Sequence, residues 1–271
     1  MYYSTSPQYY ATKGEKTMKN DLFSLGGKVA VVTGGNQGIG KVVAGFIADA
    51  GADVVIIDLN DATKVARDIA EEYGVRTAAV ACDVTKPQEV EKAIEEAARK
   101  MGTLDLLFNN AGICLHKDAL DCTPQDWLKV VDVNLNGIFF VAQAFGKYLV
   151  RNGKKGNIVN TASMSATIVN IPQGQASYNS SKAGVAHLTK SLAVEWAGKG
   201  IRVNSISPGY IMTEMTGNVR KDWQELWVNS IPFKRMGRPE ELAGAVIYFL
   251  SDASTYTSGC DMLIDGCFTV V

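Results

Sequence analysis

Residues 28–60 read KVAVVTGGNQGIGKVVAGFIADAGADVVIIDLN, and this stretch decides the fold. KVAVVT is a short β-branched apolar run, the pattern of a strand buried on both faces. It runs straight into glycines 34, 35, 38 and 40, and GKVVAGFIADAG then has the length and apolar spacing of a helix closed by Gly51. ADVVIIDLN repeats the buried-strand pattern. Strand, glycine turn, helix, strand is a βαβ unit with parallel strands.

The alternation continues outward. DATKVARDIAEEYG predicts an amphipathic helix ended by Gly74, and TAAVACDVT a third strand. PQEVEKAIEEAARKMG starts with Pro87 in a helix's first turn and stops at Gly102. LDLLFNNAG is a fourth strand, residues 124–151 one long helix, GNIVNTAS a fifth strand, residues 175–199 another helix, and IRVNSISPG a sixth strand. Residues 211–236 have no clean period, and a helix over 239–251 and a strand near 261–265 close the chain. This predicts an α/β fold with a single Rossmann-type, doubly wound parallel sheet and helices on both faces. Residues 1–20, polar and tyrosine-rich, are expected to form a flexible arm, and residues 21–271 a single dinucleotide-binding catalytic domain.

Composition narrows the function. The chain has 271 residues, 46% hydrophobic, with a formal net charge of -1, so nothing points to nucleic acid or an anionic membrane. No apolar run is seen to approach the roughly 20 residues of a membrane span, and the first residues lack the apolar stretch of a secretory signal. A cytoplasmic location is the resulting expectation. The five cysteines, Cys82, Cys114, Cys122, Cys260 and Cys267, form no paired metal spacing and are expected as buried free thiols. With only His116 and His187 present, no metal site is expected.

The glycine turn suits a phosphate. Glycine adopts positive φ cheaply, its missing side chain lets a pyrophosphate approach the backbone, and a helix N-terminus offers free N–H groups. Gly34, Asn36, Gln37, Gly38, Ile39 and Gly40 are the candidate contacts. Asp58, 24 residues after Gly34, ends the second strand, where a carboxylate accepts hydrogen bonds from the adenosine ribose and repels the extra phosphate of NADP. Gln37, Leu59 and Asn60 stand where a basic residue would otherwise hold that phosphate, so NAD is the expected cofactor. Asp83 and Val84 follow the third strand at the same sheet edge; Asp83 either meets the adenine or only shapes a turn.

Tyr178 and Lys182 in YNSSK are four residues apart at a helix start and so share a face. A phenol is a poor base near neutrality, and a nearby ammonium favours its ionised form. Ser165, 13 residues earlier, offers a hydroxyl to a substrate oxygen.

These residues, with TGGNQGIG, NNAG at 109–112, VNLNG at 133–137 and SPG at 207–209, occur in the order found in the short-chain dehydrogenases/reductases, and residues 21–271 resemble that family. The resemblance implies a catalytic set of Asn134, Ser165, Tyr178 and Lys182, with Lys182 also on the nicotinamide ribose and Asn134 anchoring a relay water. It implies that Asn110, Ala111 and Gly112 line the adenosine side, that Pro208, Gly209, Ile211 and Thr213 shape the nicotinamide pocket, and that residues 211–236 form a lid. It also implies a homotetramer.

Two positions depart from the family's habit, Cys267 for a second glycine in IDGCF and Ala166 for glycine after the serine. The segment SMSATIVNIPQGQASYNSSKAG resembles the branch acting on polyols and ketoses, such as mannitol 2-dehydrogenases, sorbose, xylulose reductases and arabinitol dehydrogenases. Candidate substrate contacts are Ser165, Tyr178, Asn170, Gln175 and Tyr210, with Ile168, Gln173 and His116 nearby; the amides are otherwise plain loop residues, and His116 a surface one. Trp223 and Trp227 either close the cleft or pack. The expected small-molecule reaction is hydride transfer between NAD(H) and a sugar alcohol/ketose pair. A 3-oxoacyl-thioester reductase, which usually prefers NADPH, is the alternative, and a non-catalytic nucleotide-binding scaffold the third reading.

Overall fold

In the computed structural model, residues 21–271 are described, and the expected arm at 1–20 lies outside them. The elements are β1 (Val29–Thr33), α1 (Gly38–Asp49), β2 (Asp53–Asp58), α2 (Thr63–Tyr73), β3 (Thr77–Ala81), α3 (Pro87–Met101), β4 (Leu106–Asn109), α4 (Pro124–Val131), α5 (Ile138–Arg151), β5 (Gly156–Thr161), α6 (Ala176–Trp196), β6 (Ile201–Pro208), α7 (Glu214–Gly217), α8 (Lys221–Ser230), α9 (Glu240–Leu250) and β7 (Asp261–Ile264). All pairings are parallel and the strand order is β3-β2-β1-β4-β5-β6-β7. The order reverses beside β1, between β1 and β4. Ligands of open α/β sheets bind at that switch point, beyond the strands' carboxyl ends.

Alternate strand residues feed two cores. Val29, Val31, Val55 and Leu107 pack under α3, α5 and α6, against Ile94, Phe145 and Leu192. Ala30, Val32, Val54 and Phe108 pack under α1, α2 and α9, against Val43, Ile47 and Phe249. Both sheet faces are thus covered, which is why these strands read as continuous apolar runs. Helices α2 and α3 end at Gly74 and Gly102 in the left-handed conformation, φ 68° and 85°. Helix α4 starts with a capping box between Thr123 and Asp126.

Three expectations need correction. Helices α4 and α5 are joined by a π-helical segment, Asp132–Gly137, giving one unbroken helical rod over Pro124–Arg151 that is long and apolar enough, by length and composition, to span a membrane. It instead lies against α3 and α6 and buries Val141, Phe145 and Leu149 in the core. Residues 211–236 hold two helices, α7 and α8, that periodicity did not reveal, since α8 fully buries only Trp227. Of the five thiols only Cys82 is buried; Cys267 is exposed and the other three are half-buried.

Candidate active site

The turn after β1 is built to leave room. Gly34 and Gly38 have φ of 64° and 55°. A Cβ on Gly34 would stand 2.9 Å from the Ala111 Cα, and one on Gly40 would run into the Gly34 carbonyl. Gly40 is therefore needed for packing and does not line the groove; Gly34, Gln37, Gly38 and Ile39 do. The Thr33 hydroxyl accepts the Asn110 and Ala111 N–H groups at 2.9 and 3.1 Å, tying the end of β1 to the NNAG turn.

A groove of about 320 Å³ runs from Asp58, Leu59 and Asn60, past Asp83 and Val84, over Asn110, Ala111 and Gly112, to Tyr178, Lys182 and Thr213. Asp58 stands at the end of the groove away from Tyr178 and Lys182. Its carboxylate accepts the N–H of Asn36 and of Asn60, each at 3.1 Å. Asn36 thus reaches the site through Asp58 and does not line the groove itself. Asp83 lines the groove while accepting both the N–H and the hydroxyl of Thr85, so its turn-shaping role is real. That hydroxyl bond holds its carboxyl below the ordinary value. Among the described residues, Lys182 is the only lysine or arginine in the lining. A Cβ on Gly112 would lie 3.3 Å from Asn134 Oδ1 and 3.5 Å from Lys182 Nζ, so this glycine keeps the far end open. Glycines where a Cβ would fill the floor, N–H groups at the start of α1 and an unbroken groove suit a dinucleotide. Pro208, Gly209 and Ile211 do not line the groove: Gly209 packs on Asp265, and Ile211 belongs to the core under α9.

Tyr178 and Lys182 converge as their spacing predicts, with Nζ 5.7 Å from the ring centroid. Lys182 Nζ donates to the Thr161 carbonyl at 2.7 Å. Their titration differs from expectation. Burial pushes the Tyr178 phenol above its ordinary value; the nearby Cys114 thiol adds to this and a hydrogen bond with Ser163 opposes it. Burial also lowers Lys182 to about 8. In the protein alone, desolvation therefore outweighs the help expected from the ammonium.

Asn134 sits on the π-helical segment, fully buried. Its side chain accepts the Ile113 N–H at 2.8 Å and donates to the Ile113 carbonyl and the Ser181 hydroxyl at 2.9 and 3.2 Å. The amide is committed to pinning the segment after NNAG, so its side chain is not the part left over to anchor a water.

Ser165, on a single turn at Met164–Ala166, heads a buried polar chain. Its hydroxyl donates to Asn170 Oδ1 at 2.6 Å. Gln175 Nε2 donates to Asn170 Oδ1 at 3.0 Å and to Asn179 Oδ1 at 2.8 Å. Asn170 Nδ2 and Gln173 Nε2 donate to the Tyr210 hydroxyl at 3.0 and 3.2 Å. Trp227 Nε1 donates to Gln173 Oε1 at 3.0 Å, and the Trp227 and Tyr210 rings stack with centroids 4.3 Å apart. The amides are thus not ordinary loop residues. Trp227 packs, while Trp223 meets the half-buried His116 ring edge-on at 5.5 Å. Burial lowers the His116 pKa. Sequence reasoning missed Thr33, Thr161, Ser163, Ser181 and Cys114; a polar residue ending a buried strand, as at Thr33 and Thr161, was the available signal.

A dinucleotide groove at the switch point of a doubly wound sheet, ending at a paired phenol and amine, defines a nicotinamide-dependent oxidoreductase. The chain belongs to the short-chain dehydrogenases/reductases. A family model described as enoyl-(acyl carrier protein) reductase matches residues 34–269. A sorbose reductase of Candida albicans is 46% identical over 252 residues, 92% of this chain and 89% of the relative. A probable NADP-dependent mannitol dehydrogenase of Yarrowia lipolytica is 45% identical over 269 residues, 97% of this chain and 96% of the relative. A short-chain dehydrogenase/reductase from Mycobacterium marinum superimposes with a TM-score of 0.90 at 44% identity, covering 93% of this chain and 99% of that one.

Proposed function

We propose that this chain is an NAD-dependent polyol dehydrogenase/ketose reductase in which Asn134, Ser165, Tyr178 and Lys182 do the work. The bound nicotinamide supplies the hydride acceptor or donor. Around it, Ser165 and Tyr178 hold the substrate oxygen. In oxidation Tyr178 Oη, once its own proton has passed to solvent, takes the substrate O–H proton as hydride leaves the carbon; in reduction the neutral phenol gives its proton to that oxygen. Lys182 orients the ribose and faces the phenol, and Asn134 fixes the floor by binding both polar backbone groups of Ile113.

The observation that carries the substrate class is the buried amide wall of Asn170, Gln173 and Gln175 beside Ser165. The serine is backed by amides that are paired with one another, a polar setting that suits a hydroxyl-rich substrate better than an acyl chain. The names of the sorbose reductase and mannitol dehydrogenase relatives support the same class. NAD over NADP is supported by Asp58 and by a groove lining whose only lysine or arginine among the described residues is Lys182, although the Yarrowia relative is described as NADP-dependent. A homotetramer is supported by apolar surface on α5 and α6, where Val150 and Val194 are exposed and Phe139 and Trp196 border a hollow of about 600 Å³; light scattering after gel filtration tests it.

The deciding experiment is turnover of NADH and NADPH with a panel of ketoses and with an acetoacetyl thioester. Ketose reduction with NADH is expected. Preference for the thioester with NADPH would replace this function with a 3-oxoacyl-thioester reductase, and dinucleotide binding without turnover would indicate a scaffold.

A further inference from the structure

The polar chain behind Ser165 has one arrangement of its amides that satisfies every group, and that arrangement fixes where the serine proton rests. Asn170 Oδ1 faces two groups, the Ser165 hydroxyl at 2.6 Å and Gln175 Nε2 at 3.0 Å. Turning the Asn170 amide over would set its NH2 against the Gln175 NH2 and take away that donor's acceptor, while the Tyr210 hydroxyl could still pair by donating in place of accepting. Gln175 cannot turn either without losing its bond to Asn179 Oδ1 and the contact of its Oε1 with the Cys114 thiol. At the other end, Asn170 Nδ2 is held by the Tyr210 hydroxyl, which also accepts from Gln173 Nε2. No buried side-chain polar atom among the described residues lacks a partner. The orientation of Asn170 is therefore imposed by Gln175, and the Tyr210 hydroxyl accommodates it.

This has a consequence for the reaction, and it rests on the role proposed above for Ser165. With its proton given to Asn170, the Ser165 oxygen has one lone pair toward Gln175 Nε2, at 3.4 Å, and one left for a substrate. To stabilise a substrate carbonyl or a developing alkoxide, the hydroxyl must rotate and donate forward. Asn170 Oδ1 keeps the Gln175 Nε2 bond when it does, so the acceptor is not stranded. A second acceptor that remains satisfied after letting go makes the rotation cheap in both directions.

We propose that Asn170 is a positioning residue that holds the Ser165 proton away from the cleft until a substrate oxygen competes for it, with Gln175 compensating for its release. It acts on the reaction through the serine hydroxyl.

A double-mutant cycle between Asn170→Ala and Ser165→Ala tests this, with kcat/KM read in both reaction directions and NADH affinity read by fluorescence. In the wild-type background Asn170→Ala is expected to lower kcat/KM about tenfold, the scale of one lost hydrogen bond, with NADH affinity unchanged. In the Ser165→Ala background the same change is expected to cost less than about twofold. A repeated tenfold loss there would mean that Asn170 only supports the loop, and would overturn the proposal. Asn170→Asp keeps the shape, and burial among neutral groups favours its protonated form, whose carbonyl accepts as the amide's does and whose O–H replaces the amide donor toward the Tyr210 hydroxyl. At pH 6 it is expected to retain kcat/KM within about threefold of wild type at the same pH; a loss there as large as that of Asn170→Ala would also overturn the proposal, and this arm decides if the alanine variant does not fold. If Ser165→Ala alone is as active as wild type, it is the role assigned to Ser165 that fails.

Discussion

Asp58→Ala is the perturbation whose outcome the structure fixes most closely. The carboxylate has two tasks here: it accepts the N–H groups of Asn36 and Asn60 at 3.1 Å each, and it puts a negative charge at the adenosine end of the groove. The extra phosphate of NADP carries about -1.5 to -2 charges. About 4–5 Å from a half-exposed carboxylate, each pair of unit charges costs close to ~1 kcal/mol even at the dielectric of water. The discrimination is then roughly 1.5–2 kcal/mol, or about 10- to 30-fold. Replacing Asp58 removes that repulsion and frees two N–H groups to face a phosphate. It also takes the ribose acceptor from NAD. The ratio of kcat/KM for NADH to that for NADPH, measured with one ketose, should therefore fall by about 10- to 30-fold or more. Raising ionic strength should narrow the ratio in the wild type and leave it nearly unchanged in the variant, because the Debye length is only about 10 Å at 0.1 M salt. A wild type that prefers NADPH, or a ratio that moves less than threefold, refutes the assignment of Asp58.

Tyr178→Phe should lower kcat by about 10² to 10⁴, the usual worth of a general acid or base, while NADH still quenches protein fluorescence; robust turnover would remove the phenol from the mechanism. Burial holds Lys182 at about 8 against an ordinary 10.5, so below pH 8 the folded protein bears the full cost of a buried ammonium, and that cost fades between pH 8 and 10.5. Lys182→Met should accordingly raise the cofactor-free melting temperature more at pH 7 than at pH 10, since the lost bond to Thr161 weighs equally at both; equal shifts would contradict the burial argument. Thr123→Ala removes the capping-box hydroxyl at the start of α4 and should destabilise the protein by about 1 kcal/mol in urea titration with activity intact.

The sheet was legible because its strands are buried on both faces. VAVVT and VVIID carry no alternation to misread, and Gly34 and Gly35 after the first and Asn60 and Asp61 after the second mark where each strand stops. The Tyr178–Lys182 pair was legible for a similar reason, since i and i+4 on a helix leave one geometry. What escaped has no local signature. The π-helical turn at Asp132–Gly137 contains ordinary helix residues; it is fixed by Asn134 reaching across to Ile113 and by Asn109 Nδ2 donating to the Ile138 carbonyl at 2.8 Å, contacts 21 and 29 residues apart in the chain. Helix α8 escaped because KDWQELWVNS buries only one side chain fully, against Tyr210 and Met164 from distant segments. The raised phenol escaped because spacing reports which charges are near and says nothing of how much water has been removed.

That last difference explains the choice of groups around the reactive pair. Burial favours the neutral forms of both, raising Tyr178 and lowering Lys182. A carboxylate in the wall would reverse this for the amine and hold the phenol's proton more tightly, since a nearby anion stabilises an ammonium and opposes a phenolate. The buried polar groups that surround the pair and the serine are instead Asn134, Ser163, Asn170, Gln173, Gln175 and Ser181, all uncharged. Amides and hydroxyls fix positions through hydrogen bonds without adding a charge to the balance. The titration of the pair is thereby left to respond to what enters the groove, the cofactor's charge and the substrate's oxygen, and the acidic residues that line it, Asp58, Asp83 and Glu214, stand apart from this wall.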